Sequence, residues 1–159
     1  MYELKPASLY AEQIETNFKA KQYSRDAFFY NGYGFDYAIP ELKKADHVKE
    51  YAVVDEEDNC LGYLSYRIDA ETRSAYNFGL FSFDKGNIGV VKAVYNHIEQ
   101  LISKCHRIEW RVVCGNPAEK GYDKLCEKYN GQKIIFHDVT IDDDFNIHNE
   151  AVYEIITDK

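Results

Sequence analysis

The stretch from Tyr76 to Cys105, YNFGLFSFDKGNIGVVKAVYNHIEQLISKC, constrains the fold of this chain more than any other. Its first part alternates aromatic and smaller side chains, a pattern typical of a half-buried β-strand. After residues 84–87, DKGN, apolar side chains recur every three or four residues, as in a helix that packs one face on a sheet. The sequence therefore predicts a helix that begins directly after a buried strand. The helical apolar positions are Ile88, Val91, Val94, Tyr95, Ile98, Leu101, Ile102 and Cys105.

The turn between this strand and this helix has a chemical consequence. The first turn of a helix leaves backbone N–H groups without intrahelical partners and carries partial positive charge. A glycine-bearing strand-to-helix turn can therefore bind a phosphate, and Gly86 and Gly89 lie in this one. A purely structural turn that binds nothing is the alternative, and the turn alone does not decide between the two.

The length and the charge of the chain narrow its class. Its 159 residues fit a single domain, 1–159, with a sizeable core. A net charge of -8 leaves no general basic surface for nucleic-acid phosphates, so we expect no nucleic-acid partner. No apolar run approaches the roughly 18 residues of a membrane span, and the N-terminus is charged where a signal peptide is apolar. We therefore expect a soluble cytoplasmic protein without membrane contact.

The cysteines and histidines do not predict a metal site. Cys60, Cys105, Cys114 and Cys126 are far apart without a C-x-x-C pair, and the five histidines complete no zinc spacing. We expect reduced thiols in or near the core.

The N-terminal part predicts a short edge strand over residues 2–6 and then helices. A first helix follows Ser8 as its N-cap, with apolar positions at Leu9, Tyr10, Ile14 and Phe18. A second helical piece is expected at Ser24–Tyr30, and the glycine-punctuated Asn31–Pro40 is expected to be a loop.

The remaining strands are predicted from alternating or apolar runs. Two of them form a hairpin across the acidic turn at 55–59 and lead into the strand that starts at Tyr76. A strand after the central helix is expected to lie parallel to that strand through a right-handed crossover. The predicted runs are 50–54, 60–68, 107–114, 133–139 and 151–156, the last two joined by the acidic connection 140–150.

A short helix is predicted after residue 114. Asn116 as N-cap, Pro117 at the first helical position and Glu119 three residues after the cap resemble a capping box. Asn130 and Gly131, which readily adopt left-handed backbone angles, end it. Its apolar positions are Ala118, Tyr122, Leu125 and Tyr129.

This order of elements resembles the GNAT N-acetyltransferase superfamily. In that family the turn after the fourth strand reads Arg or Gln, two residues, Gly, one residue, Gly or Ala, and it holds the coenzyme A pyrophosphate. Residues 84–89, DKGNIG, occupy this frame. Gly89 matches, Asn87 replaces the central glycine, and Asp84 replaces the basic or amide residue.

A second resemblance to the family lies in the strand-helix unit after the central helix. Asn116, Tyr122 and Gly131 resemble the family's asparagine, helical tyrosine and closing glycine. In the run 125–128, LCEK, Cys126 stands where the family often has the tyrosine that protonates the departing thiolate. Tyr122 lies one helical turn earlier on the same face and could substitute for it.

The resemblance implies a fold and an activity. The fold is α/β (α+β), a GNAT-like mixed, mostly antiparallel sheet of six to seven strands flanked by about four helices. The implied activity is acetyl-CoA-dependent N-acetylation of a primary amine on a small molecule or peptide, by direct attack on the thioester. A catalytically silent acyl-CoA sensor or interaction module is the alternative, supported by Asp84 and Cys126. A homodimer partner is left open.

The resemblance also implies roles for individual residues. Tyr122 is the expected general acid. Asn116 orients the pantetheine amide, or serves only as an N-cap. The general base is left open between Glu109, His97 and a water chain. Backbone groups of Leu80, Phe81 and Phe83 are expected to align the acetyl and pantetheine arms, and the pyrophosphate is expected at Lys85, Gly86, Asn87, Ile88, Gly89 and Val90.

Overall fold

The computed structural model describes residues 2–21, 42, 45–84, 86–142 and 144–157. Within them the strands are β1 (Glu3–Pro6), β2 (Val48–Val54), β3 (Cys60–Asp69), β4 (Ser74–Ser82), β5 (Arg107–Val113), β6 (Gln132–Ile141) and β7 (Ile147–Ile156). The helices of the same residues are a 3-10 turn (Ala7–Tyr10), α1 (Ala11–Lys21), α2 (Ile88–Ile102) and α3 (Glu119–Lys128).

The seven strands form one mixed sheet in the order β1-β2-β3-β4-β5-β7-β6. Every neighbouring pair is antiparallel except β4 and β5, which α2 connects as a parallel crossover. The predicted hairpin of β2 and β3 and the predicted parallel placement of β5 beside β4 are confirmed. The position of β7 between β5 and β6 has no signal in the local sequence pattern.

Helices cover the two faces of the sheet because the strand side chains alternate. On β2, Val53 belongs to the core beneath α2 and α3, while its neighbours Ala52 and Val54 belong to the smaller core beneath α1. Tyr10 and Ile14 anchor α1 in that smaller core, and both are buried. Alternate side chains along a strand thus lie on opposite faces of the sheet and pack against different helices.

A β-bulge in β4 shapes the centre of the molecule. Ser65 pairs with Gly79 and Arg67 with Tyr76, so β4 contains one residue more than β3 over this interval. The extra residue is absorbed near Asn77, whose φ is 56°, a left-handed angle that asparagine tolerates. A bulge bends its strand, and β4 turns away from β5 beyond this point.

The outer strand β6 exposes apolar side chains. It pairs with β7 alone among the described strands, so no described strand satisfies the backbone groups of its other edge. The large exposed apolar residues of the β6-β7 hairpin are Ile134, Ile135, Phe136, Val139, Ile141, Phe145, Ile147 and Ile156.

Several element predictions need correction. Ser8 is not a helix N-cap, because the chain enters a 3-10 turn after Pro6 and α1 begins at Ala11. The last two strands are longer than predicted, because the acidic connection itself pairs up to Ile141 and from Ile147. Three α-helices, rather than about four, lie in the described residues. The predicted helix at 24–30 and loop at 31–40 lie outside them. None of the described helices is long and apolar enough to cross a membrane.

Candidate active site

A cleft opens where β4 and β5 separate. Over the described residues their parallel ladder consists of Ser74 with Arg107 and Ala75 with Ile108. Beyond these pairs β5 no longer satisfies the backbone groups on the facing edge of β4. The gap holds a cavity of about 330 Å³ on the side of α2 and α3. Its mainly apolar wall includes Phe78, Leu80, Val94, Ile108, Trp110 and Tyr122.

Of the three residues predicted to align an acetyl-pantetheine arm, two line the cleft and one lies elsewhere. Leu80 and Phe81 line the cleft. Phe83 is buried beneath α1, with its ring centroid 5.2 Å from that of Phe18, and its backbone N–H donates to the Leu61 carbonyl at 2.9 Å. The Phe83 amide is therefore committed to β3.

The predicted phosphate turn is capped by its own side chain. The Asn87 Oδ1 atom accepts from the backbone N–H groups of Gly89 at 2.9 Å and Val90 at 3.3 Å. This is an N-cap in the position of the family's central glycine, and it occupies two of the amides that a phosphate would use. The ring of Tyr2 covers Gly89, where an added Cβ would lie 2.2 Å from the Tyr2 Cε2 atom.

The acidic residue of the turn faces the helix start. Asn87 Nδ2 donates to Asp84 Oδ2 at 2.9 Å, so the Asp84 carboxylate lies beside the capped amides. Ile88 is 80% exposed, and its backbone N–H has no acceptor among the described residues. Gly86 has a φ of 81°, which favours glycine, and Lys85 lies outside the described part of the chain. The turn therefore offers one open amide at Ile88 next to two that Asn87 occupies.

Tyr122 reaches the cleft from α3. Its ring makes edge contacts with those of Tyr95, Trp110 and Tyr153 at centroid distances of 6.4, 6.1 and 6.0 Å. Desolvation raises the pKa of Tyr122 to about 12, because burial disfavours the phenolate. No hydrogen-bond partner of its hydroxyl is found among the described residues. Tyr122 is thus a protonated donor that faces the cavity.

Cys126, the family tyrosine position, lies elsewhere. Its side chain is buried and its Sγ is 3.4 Å from the Gln132 carbonyl oxygen, outside the cleft wall. Burial raises the pKa of this thiol, so it is a neutral packing residue. Tyr122 rather than Cys126 presents a donor to the cleft.

Asn116 lines the cleft and also organises the turn before α3. Its Oδ1 accepts from the Ala118 backbone N–H at 2.9 Å, and Glu119 accepts from the Gly115 N–H at 2.8 Å. The helix itself starts at Glu119, so the predicted start near Pro117 is about two residues early.

Trp110 carries an unsatisfied donor at the cleft. The residue is 6% exposed, and its ring stacks on that of Tyr153 at 5.1 Å with an interplanar angle of 5°. Among the described residues its Nε1–H has no hydrogen-bond acceptor, and the Nε1 atom itself is buried. A buried donor left unpaired costs about 1–3 kcal/mol, so this residue adds its ring to the cleft wall at some cost to stability.

A second cavity of about 340 Å³ lies on the opposite face of the sheet. Glu109 and Arg111 point to that face because they alternate with Ile108 and Trp110 along β5. Both cavities share Phe78, Trp110 and Arg111 in their walls, so they adjoin at the split between the strands. The remaining wall of the second cavity is Arg67, Tyr76, Asn77 and Glu109.

An ion-pair network borders the second cavity. Arg111 Nη1 lies 3.0 Å from Glu150 Oε1, and the Glu150 side chain is fully buried. Glu109 pairs with Arg107 and lies 3.6 Å from the Arg111 Nε atom. Arg107 also contacts Glu154 at 2.5 Å. The network holds Glu109 at the cavity edge between two guanidinium groups.

The two candidate bases are placed differently. Glu109 lines the second cavity. His97 donates to or accepts from the Tyr66 hydroxyl at 2.8 Å, packs against the Tyr51 ring and lines neither cavity. Burial lowers the pKa of His97, with a smaller contribution from Lys104. Within the described residues no group of three His, Cys, Asp or Glu side chains could hold a metal ion.

Sequence reasoning missed Trp110 and Arg67 as site residues. The alternation of β5 places Trp110 correctly on the apolar face, and that signal was present in residues 107–113. What the sequence lacks is the separation of β4 from β5, which turns this packing residue into part of a cavity wall.

The fold is that of the GNAT acetyltransferases. No protein-family model and no curated protein sequence matches the chain. A protein of Acinetobacter baylyi ADP1 with a provisional acetyltransferase assignment gives a TM-score of 0.71 at 15% identity, over 100% of this chain and 92% of that one. The ribosomal-protein-S5-alanine acetyltransferase of Vibrio fischeri gives 0.66 at 15% identity, over 99% and 93%.

A third solved structure carries the family name. It is a Chromobacterium violaceum protein provisionally assigned as a GNAT-family acetyltransferase, with a TM-score of 0.63 at 15% identity over 98% of this chain and 86% of that one. These similarities extend over nearly the whole chain, and at such identities they establish the fold. The predicted GNAT-like architecture is therefore confirmed.

Proposed function

We propose that the chain, as one domain of residues 1–159, is an acetyl-CoA-dependent N-acetyltransferase that acts on a primary amine of a small molecule or peptide. The observation that carries this proposal is the split between β4 and β5, which joins an apolar cleft to a charged cavity on the other face. Such a passage lets a thioester enter from one side and an amine from the other. The amine then attacks the thioester carbonyl directly, without a covalent enzyme intermediate.

The cleft residues suit the thioester end of the co-substrate. Backbone groups of Leu80 and Phe81, which line the cleft, orient the acyl arm and polarise its carbonyl. Tyr122 gives its proton to the leaving thiolate, and its raised pKa keeps that proton in place at neutral pH. Asn116 positions the amide of the arm at the cleft mouth.

The diphosphate end fits less completely. The Ile88 amide is open, while the amides of Gly89 and Val90 become available only if the Asn87 side chain swings away. The Asp84 carboxylate opposes an anion at this turn. Acetyl-CoA binding therefore rests more on the cleft than on the turn.

The acceptor amine must lose a proton to attack. Glu109 lies at the second cavity, next to the split, and is the carboxylate placed to receive that proton. The position of His97 outside both cavity walls makes Glu109 the better candidate of the two.

The sensor or interaction module remains the second candidate, because Asp84 and the Asn87 cap both oppose diphosphate binding. Isothermal titration with acetyl-CoA and a thiol-release assay over an amine panel separate the two. Binding with amine-dependent thiol release supports the enzyme. Binding without release across the panel favours the sensor, and no binding at millimolar acetyl-CoA overturns both.

We also propose that β6 mediates self-association as a homodimer. This rests on the exposed apolar side chains of the β6-β7 hairpin and on the unpaired edge of β6. Light scattering after size exclusion tests it with Phe136→Lys, which should yield a monomer. Leu9→Lys, at a 72% exposed site on the 3-10 turn, is the matched control and should leave the mass unchanged. A monomeric wild-type protein would overturn the proposal.

A further inference from the structure

We propose that the second cavity binds the acceptor and selects amines that also carry a carboxylate, with Arg67 as the residue that binds this anion. The inference rests on the proposed acetyltransferase function and deepens it by naming the acceptor class. It is carried by the position of the cavity, by the pairing of its charges and by the register of the strands that form it.

The position of the cavity follows from its shared wall. Phe78 and Trp110 belong to both cavities, at the point where β4 leaves β5. A group bound on one face therefore meets a group bound on the other across these two rings. If the amine of an acceptor lies at the split, the remainder of the acceptor molecule lies in the second cavity.

The charges around the cavity are mostly committed to one another. Arg107 and Arg111 contact the carboxylates of Glu109, Glu150 and Glu154, two cations among three anions. This network needs no further anion.

Arg67 is different. It lines the same cavity and is half-buried, yet it has no ion pair and no hydrogen bond to any described residue. A partly desolvated guanidinium without a carboxylate is a ready partner for a planar anion, which it binds through two parallel N–H donors. A ligand carboxylate would supply the anion that none of the described residues provides.

The strand register sets how an acceptor would lie. Arg67 on β3 pairs with Tyr76 on β4. Tyr76 and Glu109 are the residues that directly follow the last pair between β4 and β5, Ala75 with Ile108. Arg67 and Glu109 thus flank Tyr76 on one face of the sheet. A carboxylate at Arg67 leaves the amine near Glu109 and the split.

The rest of the wall favours an apolar body between the two polar ends. Tyr76, Phe78 and Trp110 contribute aromatic rings, and about 340 Å³ accommodates a ligand of amino-acid size. The net charge of -8 over the whole chain would by itself favour a cationic acceptor through electrostatic steering. The local charge argues otherwise, because a second cationic group on the acceptor would meet the unpaired Arg67 guanidinium.

The test uses acceptors in matched pairs, each amine as a free carboxylate and as its carboxamide: leucine with leucinamide and phenylalanine with phenylalaninamide. The wild-type protein should use the carboxylate member at least about tenfold better in kcat/KM, the scale of a charge-assisted pair of hydrogen bonds. Arg67→Gln should remove this preference through a higher KM for the carboxylate member and leave the carboxamide member unchanged. Arg67→Lys should retain part of it. Lys92→Gln, an exposed site on α2 with the same charge change, should have no effect.

A binding measurement separates this inference from the proposed activity. Trp110 is the single tryptophan of the chain, so its fluorescence reports on both cavities. N-acetylphenylalanine should change this fluorescence at lower concentration than N-acetylphenylalaninamide, and Arg67→Gln should abolish the difference. This outcome supports the acceptor class even where no turnover occurs, whereas acetyl-CoA titration tests the activity.

Two results would overturn the inference. One is equal or better use and binding of the carboxamide members by the wild-type protein. The other is an Arg67→Gln variant that loses both members of each pair equally, since Arg67 would then support the fold or the reaction rather than recognise an anion.

Discussion

Replacing Asp84 by Asn should strengthen coenzyme A binding. The Asp84 carboxylate accepts from Asn87 Nδ2 at 2.9 Å, and the same Asn87 amide caps the first turn of α2. An asparagine at position 84 keeps the size and the acceptor oxygen of that contact and removes only the negative charge. The change therefore isolates the repulsion between residue 84 and a diphosphate at the turn.

The magnitude follows from the geometry. A phosphate in place of the Asn87 amide lies about 6 Å from the Asp84 carboxylate, where two unit charges interact by about 0.7 kcal/mol in water. A doubly charged diphosphate doubles this to about 1.4 kcal/mol, or tenfold in Kd, at low ionic strength. The gain should shrink as salt is added, because the Debye length falls to about 8 Å at physiological ionic strength.

Isothermal titration with coenzyme A and with pantetheine, which lacks the diphosphate, measures this gain. Asp84→Asn should bind coenzyme A more tightly and pantetheine as the wild type does. Glu71→Gln is the matched control, because Glu71 is exposed in the turn at the other end of β4, about 30 Å away along the strand. An unchanged coenzyme A affinity in Asp84→Asn, or an equal gain in Glu71→Gln, would show that the diphosphate does not bind at this turn.

Three further predictions concern the cleft and the end of α3. Tyr122→Phe should lower kcat about a hundredfold, whereas Tyr95→Phe, in the same wall, should have little effect. Because the pKa of Tyr122 is raised to about 12, the wild-type rate should show no alkaline decline from this residue below about pH 11. Equal losses in both variants would argue against a proton donor at position 122. Trp110→Phe should weaken acetyl-CoA binding by up to about tenfold in calorimetry, because the smaller ring removes apolar surface from the cleft wall. Unchanged affinity in a folded variant would mean that the ligand does not contact this ring. Gly131→Ala should lower the free energy of unfolding in urea by about 1–3 kcal/mol, because the new Cβ would lie 2.7 Å from the Glu154 carbonyl oxygen, a backbone atom that cannot move aside. An unfolding midpoint in urea equal to that of the wild type would contradict this.

Local sequence patterns predicted most of the elements. The three- and four-residue spacing from Ile88 predicted α2, and the alternation in 107–113 predicted β5 with its apolar face. The left-handed end of α3 was also predicted, since Asn130 has a φ of 52°. These features depend on residues close together in the chain, so the sequence alone contains them.

The connection 140–150 shows where local reasoning stops. The sequence predicted this segment to be only an acidic connection between two strands, but its ends pair between β6 and β7. Cross-strand pairing overrides the composition there: Thr140 and Glu150 are buried, whereas Ile141 and Ile147 are exposed, so the pairing does not follow the polarity of the segment.

The sequence by itself determined the order of strands and helices, the turn at 84–89 and the presence of Tyr122 and Asn116 in segments that line the cleft. Only the tertiary structure decided that β4 bends away from β5 at its bulge, that Asn87 and Tyr2 cover the helix start, and that Arg67 has no counter-ion among the described residues. The physical reason is that cavities, caps and unpaired charges depend on which distant residues meet. Periodicity along the chain predicts on which face of a helix or strand a side chain lies, but not which residues it contacts there.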